Sequence, residues 1–209
     1  DGYWSDDAVV GFALGQTSGD ISYSDRNASG TQTGWMAGTY ARFETRGGMH
    51  IRMALGLGQT DTDMRRDIRL VSETARSTVT ATTADALLQA GFGMHVGNFG
   101  LSPFVMAGVQ WLQRDSINET GAALAGLQVA AEDNLIGEVG LGLELSRPWL
   151  TSGNRWAQIQ GSFTLLQPMG DTQLQQHASL GATTPVFTVA ETPDDSPALA
   201  LSMGGEIYL

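Results

Sequence analysis

The chain has 209 residues, with 22 acidic side chains, 11 arginines, no lysine and a formal net charge of −11. That balance argues against a nucleic-acid-binding surface, which needs a basic face to neutralise phosphates, and the absence of cysteine excludes disulfides, thiolate nucleophiles and cysteine zinc sites. Charged residues are only 16%, against about 25% in soluble domains, and 27 residues are glycine, nearly twice the usual share of about 7%.

No positive n-region opens the chain; Asp1, Asp6 and Asp7 stand where a signal peptide would be basic. The longest uncharged run, residues 86–113, could span a bilayer by length, but Asn98, Ser102, Pro103 and its glycines would break a helix there.

A period of two explains such stretches better. In residues 8–15, Ala8, Val10, Phe12 and Leu14 alternate with Val9, Gly11, Ala13 and Gly15. Residues 35–44 set Trp35, Ala37, Thr39, Ala41 and Phe43 against Met36, Gly38, Tyr40, Arg42 and Glu44. Residues 49–59 set Met49, Ile51, Met53, Leu55 and Leu57 against His50, Arg52, Ala54, Gly56 and Gly58. Residues 84–97 set Ala84, Ala86, Leu88, Ala90 and Phe92 against Asp85, Leu87, Gln89, Gly91 and Gly93. The same alternation continues through Val105, Ala107, Val109 and Trp111, then Val139, Leu141, Leu143 and Leu145 opposite Glu138, Gly140, Gly142 and Glu144. Ile159, Phe163 and Leu165 follow, then an eighth strand over residues 180–191 with the weakest alternation, and a ninth with Leu199, Leu201, Met203 and Ile207. About nine strands are expected, with prolines at their ends or between them. Short connections fall near residues 46–48, 97–100 and 147–154, and longer polar segments at 17–30, 60–76, 113–126 and 167–177 read as loops. Short turns on one side and long loops on the other fit a transmembrane barrel, whose tilted strands need about 9–11 residues to cross.

Sidedness decides between barrel types. A soluble barrel turns its apolar face inward and its charges outward. Here the polar face is mostly Gly, Ala, Ser and Gln, with Arg42, Glu44, Arg52, Asp85, Gln89, Glu138 and Glu144 as sparse polar positions, which suits a wet lumen. The opposite face is uncharged and is expected to meet lipid through Phe12, Leu14, Trp35, Phe43, Ile51, Leu55, Leu88, Phe92, Trp111, Leu141, Leu143, Ile159, Phe163 and Leu201. The fold class expected is all-β, an antiparallel up-and-down transmembrane β-barrel in a single domain, residues 1–209.

The order of several landmarks resembles the translocator barrel of autotransporters, the type V secretion family. They are Gly34-Trp-Met-Ala-Gly-Thr-Tyr-Ala-Arg-Phe-Glu44 with its Gly-Gly turn, residues 49–62 followed by Arg65-Arg66-Asp67-Ile68, Leu101-Ser-Pro-Phe-Val-Met-Ala-Gly-Val-Gln110, Glu119-Thr-Gly with residues 137–145, and Phe187-Thr-Val189 with residues 197–209. The resemblance spans most of the chain. It implies a twelve-stranded outer-membrane barrel with an N-terminal helix plugging the pore, anchoring and exporting an N-terminal passenger. It also implies a Gram-negative host and contacts with outer-membrane lipid, lipopolysaccharide and the barrel-assembly machinery. The nine strands here are an odd number and include no such helix, so residues 1–209 are expected to be a central segment of a longer barrel. The alternative is an eight- or ten-stranded chain that closes alone.

No enzymatic chemistry is expected. His50, His95 and His177 fit no metal spacing, no nucleophile elbow accompanies the serines, and Asp61-x-Asp63 and Asp194-Asp195 lack the ligand count of a calcium loop. No catalytic residue, metal or cofactor is assigned. Arg65, Arg66 and Arg69 with Asp61, Asp63 and Asp67 read as an ion-pair cluster, with a receptor contact or lipopolysaccharide clamp as the other reading. Two further functions stay open: a small self-contained outer-membrane barrel acting as adhesin, pore or lipid-modifying protein, and a soluble ligand-binding barrel.

Overall fold

An extended segment satisfies its backbone N–H and C=O groups by pairing with a neighbouring strand, and this chain does so hairpin after hairpin. The computed structural model describes residues 2–5, 7–23, 27–123, 125–150, 156–171, 175–181, 185–190 and 196–207. Its strands are β1 (Gly2–Ser5), β2 (Ala8–Tyr23), β3 (Ala28–Glu44), β4 (Met49–Ile68), β5 (Glu73–Phe92), β6 (Met94–Val96), β7 (Phe99–Arg114), β8 (Ile117–Asn118), β9 (Leu127–Val129), β10 (Glu132–Leu150), β11 (Trp156–Gly170), β12 (Gln175–Leu180), β13 (Phe187–Ala190) and β14 (Ala198–Ile207). The main antiparallel sheet runs β1-β2-β3-β4-β5-β7-β10-β11-β14, with β6 continuing β5 along β7. A second sheet, β13-β12-β9-β8, is built from the segments between β7 and β10 and between β11 and β14.

Nine strands lie on the main path, but not the nine expected. The described residues of 180–191 do not join it, and 182–184 and 191 lie outside the described residues. Leu180 ends β12, and Phe187–Ala190 is β13, both in the second sheet. The reason is pairing: β11 takes β14 as its neighbour directly, from Leu166↔Ala198 to Ala157↔Ile207, which leaves no place between them. The eight long strands therefore form an even set, and Ala8 and Ile207 lie at the same end of the sheet, the end of the short turns. The ninth is the short β1, paired to β2.

Two of the expected loops are strand. Residues 17–23 and 28–30 continue β2 and β3 in unbroken register up to Tyr23↔Ala28, and residues 60–68 and 73–76 continue β4 and β5 up to Ile68↔Glu73. Their side chains are mostly Thr, Ser, Asp and Arg, with Ile21, Tyr23, Met64 and Ile68 scattered among them, so they lack a continuous apolar stripe yet retain the Thr that strands favour. The expected connection at 147–154 is also partly strand, because β10 runs on to Leu150; residues 151–154 lie outside the described residues. The turn after Glu44 is tight: Gly48, at φ +88, donates to the Thr45 carbonyl at 2.9 Å, a backbone conformation that favours glycine.

The sheet is a single layer without a conventional core. Among the described residues no large side chain is fully buried, and the buried apolar positions are mostly small: Ala75, Ala122, Val129, Ala157 and Ala178, with Phe104 the exception. The chain exposes 14185 Å², whereas a soluble globular chain of its mass exposes roughly 9,300 Å². Phe12 and Leu14 are 77% and 78% exposed, so the apolar face is not packed against anything in the chain.

The sheet is curled, and the side chains say which way. Arg52 on β4 contacts Glu144 on β10, across β5 and β7. Register carries Arg52 through Gln89 and Met106 to Gly140, four residues from Glu144. On a flat sheet that separation would be roughly 19 Å, so the polar face must be concave.

Candidate functional site

Alternation along β4, β5 and β10 puts Arg52, Gln89 and Glu144 on the concave face, where they form one cluster. Arg52 is a two-pronged donor to Glu144, with Nη2 to Oε2 at 2.9 Å, and the Gln89 amide donates to Glu144 Oε1 at 3.2 Å. Arg42 and Glu44 on β3 pair at 2.8 Å and are both exposed. Arg42, Glu44, Arg52 and Glu144, with His50 and His95, line a cavity of about 580 Å³ near the short-turn end. Asp85 and Glu138, higher on the same face, form no ion pair among the described residues. Among the described residues no group of three His, Asp or Glu side chains converges as metal ligands would.

Five of the glycines lie beneath large side chains of this face. The Tyr40 ring lies over Gly11, where a Cβ would meet it at 2.3 Å. Asp85 lies over Gly56, His50 over Gly91, Phe104 over Gly142 and Glu138 over Gly108, with corresponding distances of 2.4, 2.5, 2.2 and 3.0 Å. Each large side chain lies down on the neighbouring strand instead of standing into the concavity. The space it occupies is the one a neighbouring side chain would have filled.

The other face is apolar and continuous. One row of register runs Phe43, Ile51, Ala90, Val105, Leu141, Leu165, Leu199; the next runs Leu143, Phe163, Leu201. Phe12, Leu14, Leu55, Leu88 and Ile159 share this face by alternation. Aromatic side chains bound it at both heights. Trp35 and Trp111 stand on the long-loop side, the Trp111 indole N–H donating to Asp133 Oδ1. Phe43, Phe92 and Phe99 stand on the short-turn side, with the Arg147 guanidinium 5.1 Å from the Phe99 ring centre. Between Trp35 and Phe43 lie eight residue steps, about 26 Å of strand. Tilted by about 40°, that is roughly the height of an outer-membrane apolar band.

Two ion pairs at the long-loop end were not legible in the sequence as partners. Arg66 Nε donates to Glu119 Oε1 at 3.1 Å, its Nη2 donates to the Ala125 carbonyl at 3.1 Å, and the Leu127 N–H donates to Glu119 Oε2 at 2.8 Å. The Glu119 hydrogen bond raises the Arg66 guanidinium above its ordinary pKa despite partial burial. Arg114 and Glu132 pair at 3.3 Å, with Asn134 donating to Glu132 at 2.9 Å. These contacts fasten the segment after β7 to the sheet. Only the Glu119-Thr-Gly landmark hinted that this segment was more than a loop.

Comparison with known proteins decides the family. The family model described as the autotransporter beta-domain matches residues 1–209. The chain is an autotransporter β-domain. Two solved structures share its fold. The beta domain of the Bordetella autotransporter BrkA aligns with TM-score 0.60 at 17% identity, covering 97% of this chain and 83% of that one. The translocator domain of the autotransporter NalP from Neisseria meningitidis aligns with TM-score 0.59 at 14% identity, covering 98% and 76%. No curated protein matches the chain. The β-domain is thus the outer-membrane translocator barrel of a type V secretion protein, and its passenger is its own partner.

Proposed function

We propose that the concave polar face of this β-domain is the wall of the export conduit and that the apolar convex face is its lipid contact. The observation that carries this is the pairing of two features in one sheet. An uncovered apolar surface runs across eight long strands, and behind it lies a concave polar face on which Tyr40, His50, Asp85, Phe104 and Glu138 lie flat on glycines. Arg42, Glu44, Arg52, Asp85, Gln89, Glu138 and Glu144 then set the polarity of the lumen. The edges β1 and β14 do not pair with each other among the described residues. Unpaired edge groups find no water in lipid, so further strands of a longer barrel close the wall. Assembly by the barrel-assembly machinery and contact with lipopolysaccharide follow from an outer-membrane position. The domain acts as anchor and conduit, without covalent chemistry of its own.

Residues 1–209 contain no cysteine, so an introduced thiol is unique within them. Single variants Gln89→Cys and Leu141→Cys are placed in the full protein and treated in isolated outer membranes with a water-soluble maleimide. Gln89→Cys should label and Leu141→Cys should not, while brominated lipid tails should quench a fluorophore only at the second. The reverse pattern would turn the barrel inside out and restore the soluble ligand-binding reading.

A further inference from the structure

We infer that Arg65 and Arg76, facing outward on the β4–β5 hairpin, bind an anionic group of the lipopolysaccharide core. The inference rests on the proposed orientation, with the long-loop end at the outer leaflet. Arg65 and Arg76 are direct partners in the antiparallel register. Alternation without a bulge puts Arg65 on the face of Leu55 and Leu57, and Arg76 on the face of Leu88, away from the lumen. Like charges directly opposite in a sheet are destabilising unless something neutralises them.

Of the nearby acids, only Asp67 forms an ion pair with either arginine among the described residues. Asp61 accepts from the Thr80 hydroxyl at 2.7 Å and Asp63 from Thr78 at 2.6 Å. Asp67 accepts from Thr74 at 2.8 Å and pairs with Arg65 at 3.3 Å. Arg76 forms no ion pair among the described residues. Arg66, on the inner face of the same hairpin, is already held by Glu119. Among the described residues one guanidinium thus has no ion-pair partner and a second has only an exposed, long contact, side by side on an outward face. Two planar guanidinium forks at this spacing suit a phosphate or a sugar carboxylate, each oxygen taking an N–H.

Height selects the source of that anion. The pair stands six residues beyond Gln59, the register partner of Trp35. That is about 20 Å of strand and roughly 15 Å above the aromatic boundary at a tilt of about 40°. A group at that height, beside the barrel and not above it, is held by the lipid itself. The phosphates and acidic sugars of the inner core occupy that zone.

The test uses the full chain folded in detergent, its folding verified by heat-modifiable gel mobility. Binding is measured for lipopolysaccharide truncated after a phosphorylated inner core, for lipid A alone, and for inorganic phosphate. The Arg65→Gln/Arg76→Gln variant should bind core lipopolysaccharide about tenfold more weakly than wild type and lipid A equally well. The Arg65→Lys/Arg76→Lys variant, which keeps charge and loses the fork, should fall between and stands in if the first misfolds. Equal affinity of wild type and variants for core lipopolysaccharide would overturn the site. Inorganic phosphate binding as tightly as core lipopolysaccharide would make it a free-anion site and overturn the lipid assignment. Orientation is read separately: Leu70→Cys at the hairpin turn should label on intact cells with an impermeant maleimide. A labelled turn with unchanged affinities overturns the site and leaves the barrel reading standing; an unlabelled turn overturns both.

Discussion

Gly142→Ala tests whether the flat-lying side chains of the concave face depend on their glycines. A Cβ at Gly142 would sit 2.2 Å from the Phe104 ring, whose residue is only 7% exposed. Carbon atoms rest at about 3.5–4.0 Å, so the ring must retreat by roughly 1.3–1.8 Å. It has nowhere to go along the sheet, because Gly91 on its other side is covered by His50. The ring must stand up into the lumen. Overpacking costs about 1–3 kcal/mol, and full exposure of a phenylalanine sets a ceiling of about 3 kcal/mol, so a loss of about 2 kcal/mol is expected. Phe104→Ala removes the obstacle, so Gly142→Ala should cost less than about 0.5 kcal/mol in that background. Urea unfolding in lipid vesicles, followed by tryptophan emission, gives both numbers. Additive losses in the double variant would refute the reasoning.

Glu144→Ala should cost about 1–2 kcal/mol in the same assay, since it strands Arg52 and the Gln89 amide in a partly wet site, and Glu144→Gln with Arg52→Gln should recover part of it. Leu141→Arg should destabilise by about 2–4 kcal/mol and Gln110→Arg by under about 1 kcal/mol, the depth-dependent asymmetry expected between lipid and lumen; equal costs would refute the facing. Glu119→Ala should speed amide exchange in residues 117–129 by at least about tenfold while leaving β2–β5 protected, because it leaves Arg66 and the Leu127 N–H without their shared acceptor. The Thr74 hydroxyl, then Arg65, holds the Asp67 carboxyl below its ordinary pKa. Its contribution to the hairpin turn is therefore present above the unfolded carboxylate range and lost as pH falls through the lower folded value. Amide protection at residues 68–73, taken relative to the intrinsic exchange rate at each pH, should be constant between pH 7 and 5, fall at lower pH, and lose this fall in Asp67→Asn.

The membrane-crossing part of the fold was legible because lipid demands an uninterrupted apolar face. Met49, Ile51, Met53, Leu55 and Leu57 announce β4 without help from any partner. Ten residues further on, Asp61, Asp63, Arg65 and Asp67 occupy the same face, and the signal disappears although the strand does not. Residues 180–191 mislead for the opposite reason. Val189 and Phe187 alternate like a spanning strand, but alternation is blind to whether the partner is β11 or β12. The polar cluster follows the same logic. The face of Arg52, Gln89 and Glu144 could be read from parity, while their convergence depends on curvature across four strands, which no local pattern encodes.

The glycine sockets also bear on how such a wall finds its alignment. Slipping one strand by a single residue flips every side chain and is rejected by the apolar pattern. Slipping by two keeps every face correct, so hydrophobicity cannot detect the error. The sockets can. Moved by two, Tyr40 would descend on Val9 or Ala13 instead of Gly11, and Glu138 on Met106 or Gln110 instead of Gly108. Each such pair acts as a key that fits one notch. The sheet thereby proofreads its own stagger as each hairpin docks, and with it the shear that fixes the bore of the finished cylinder.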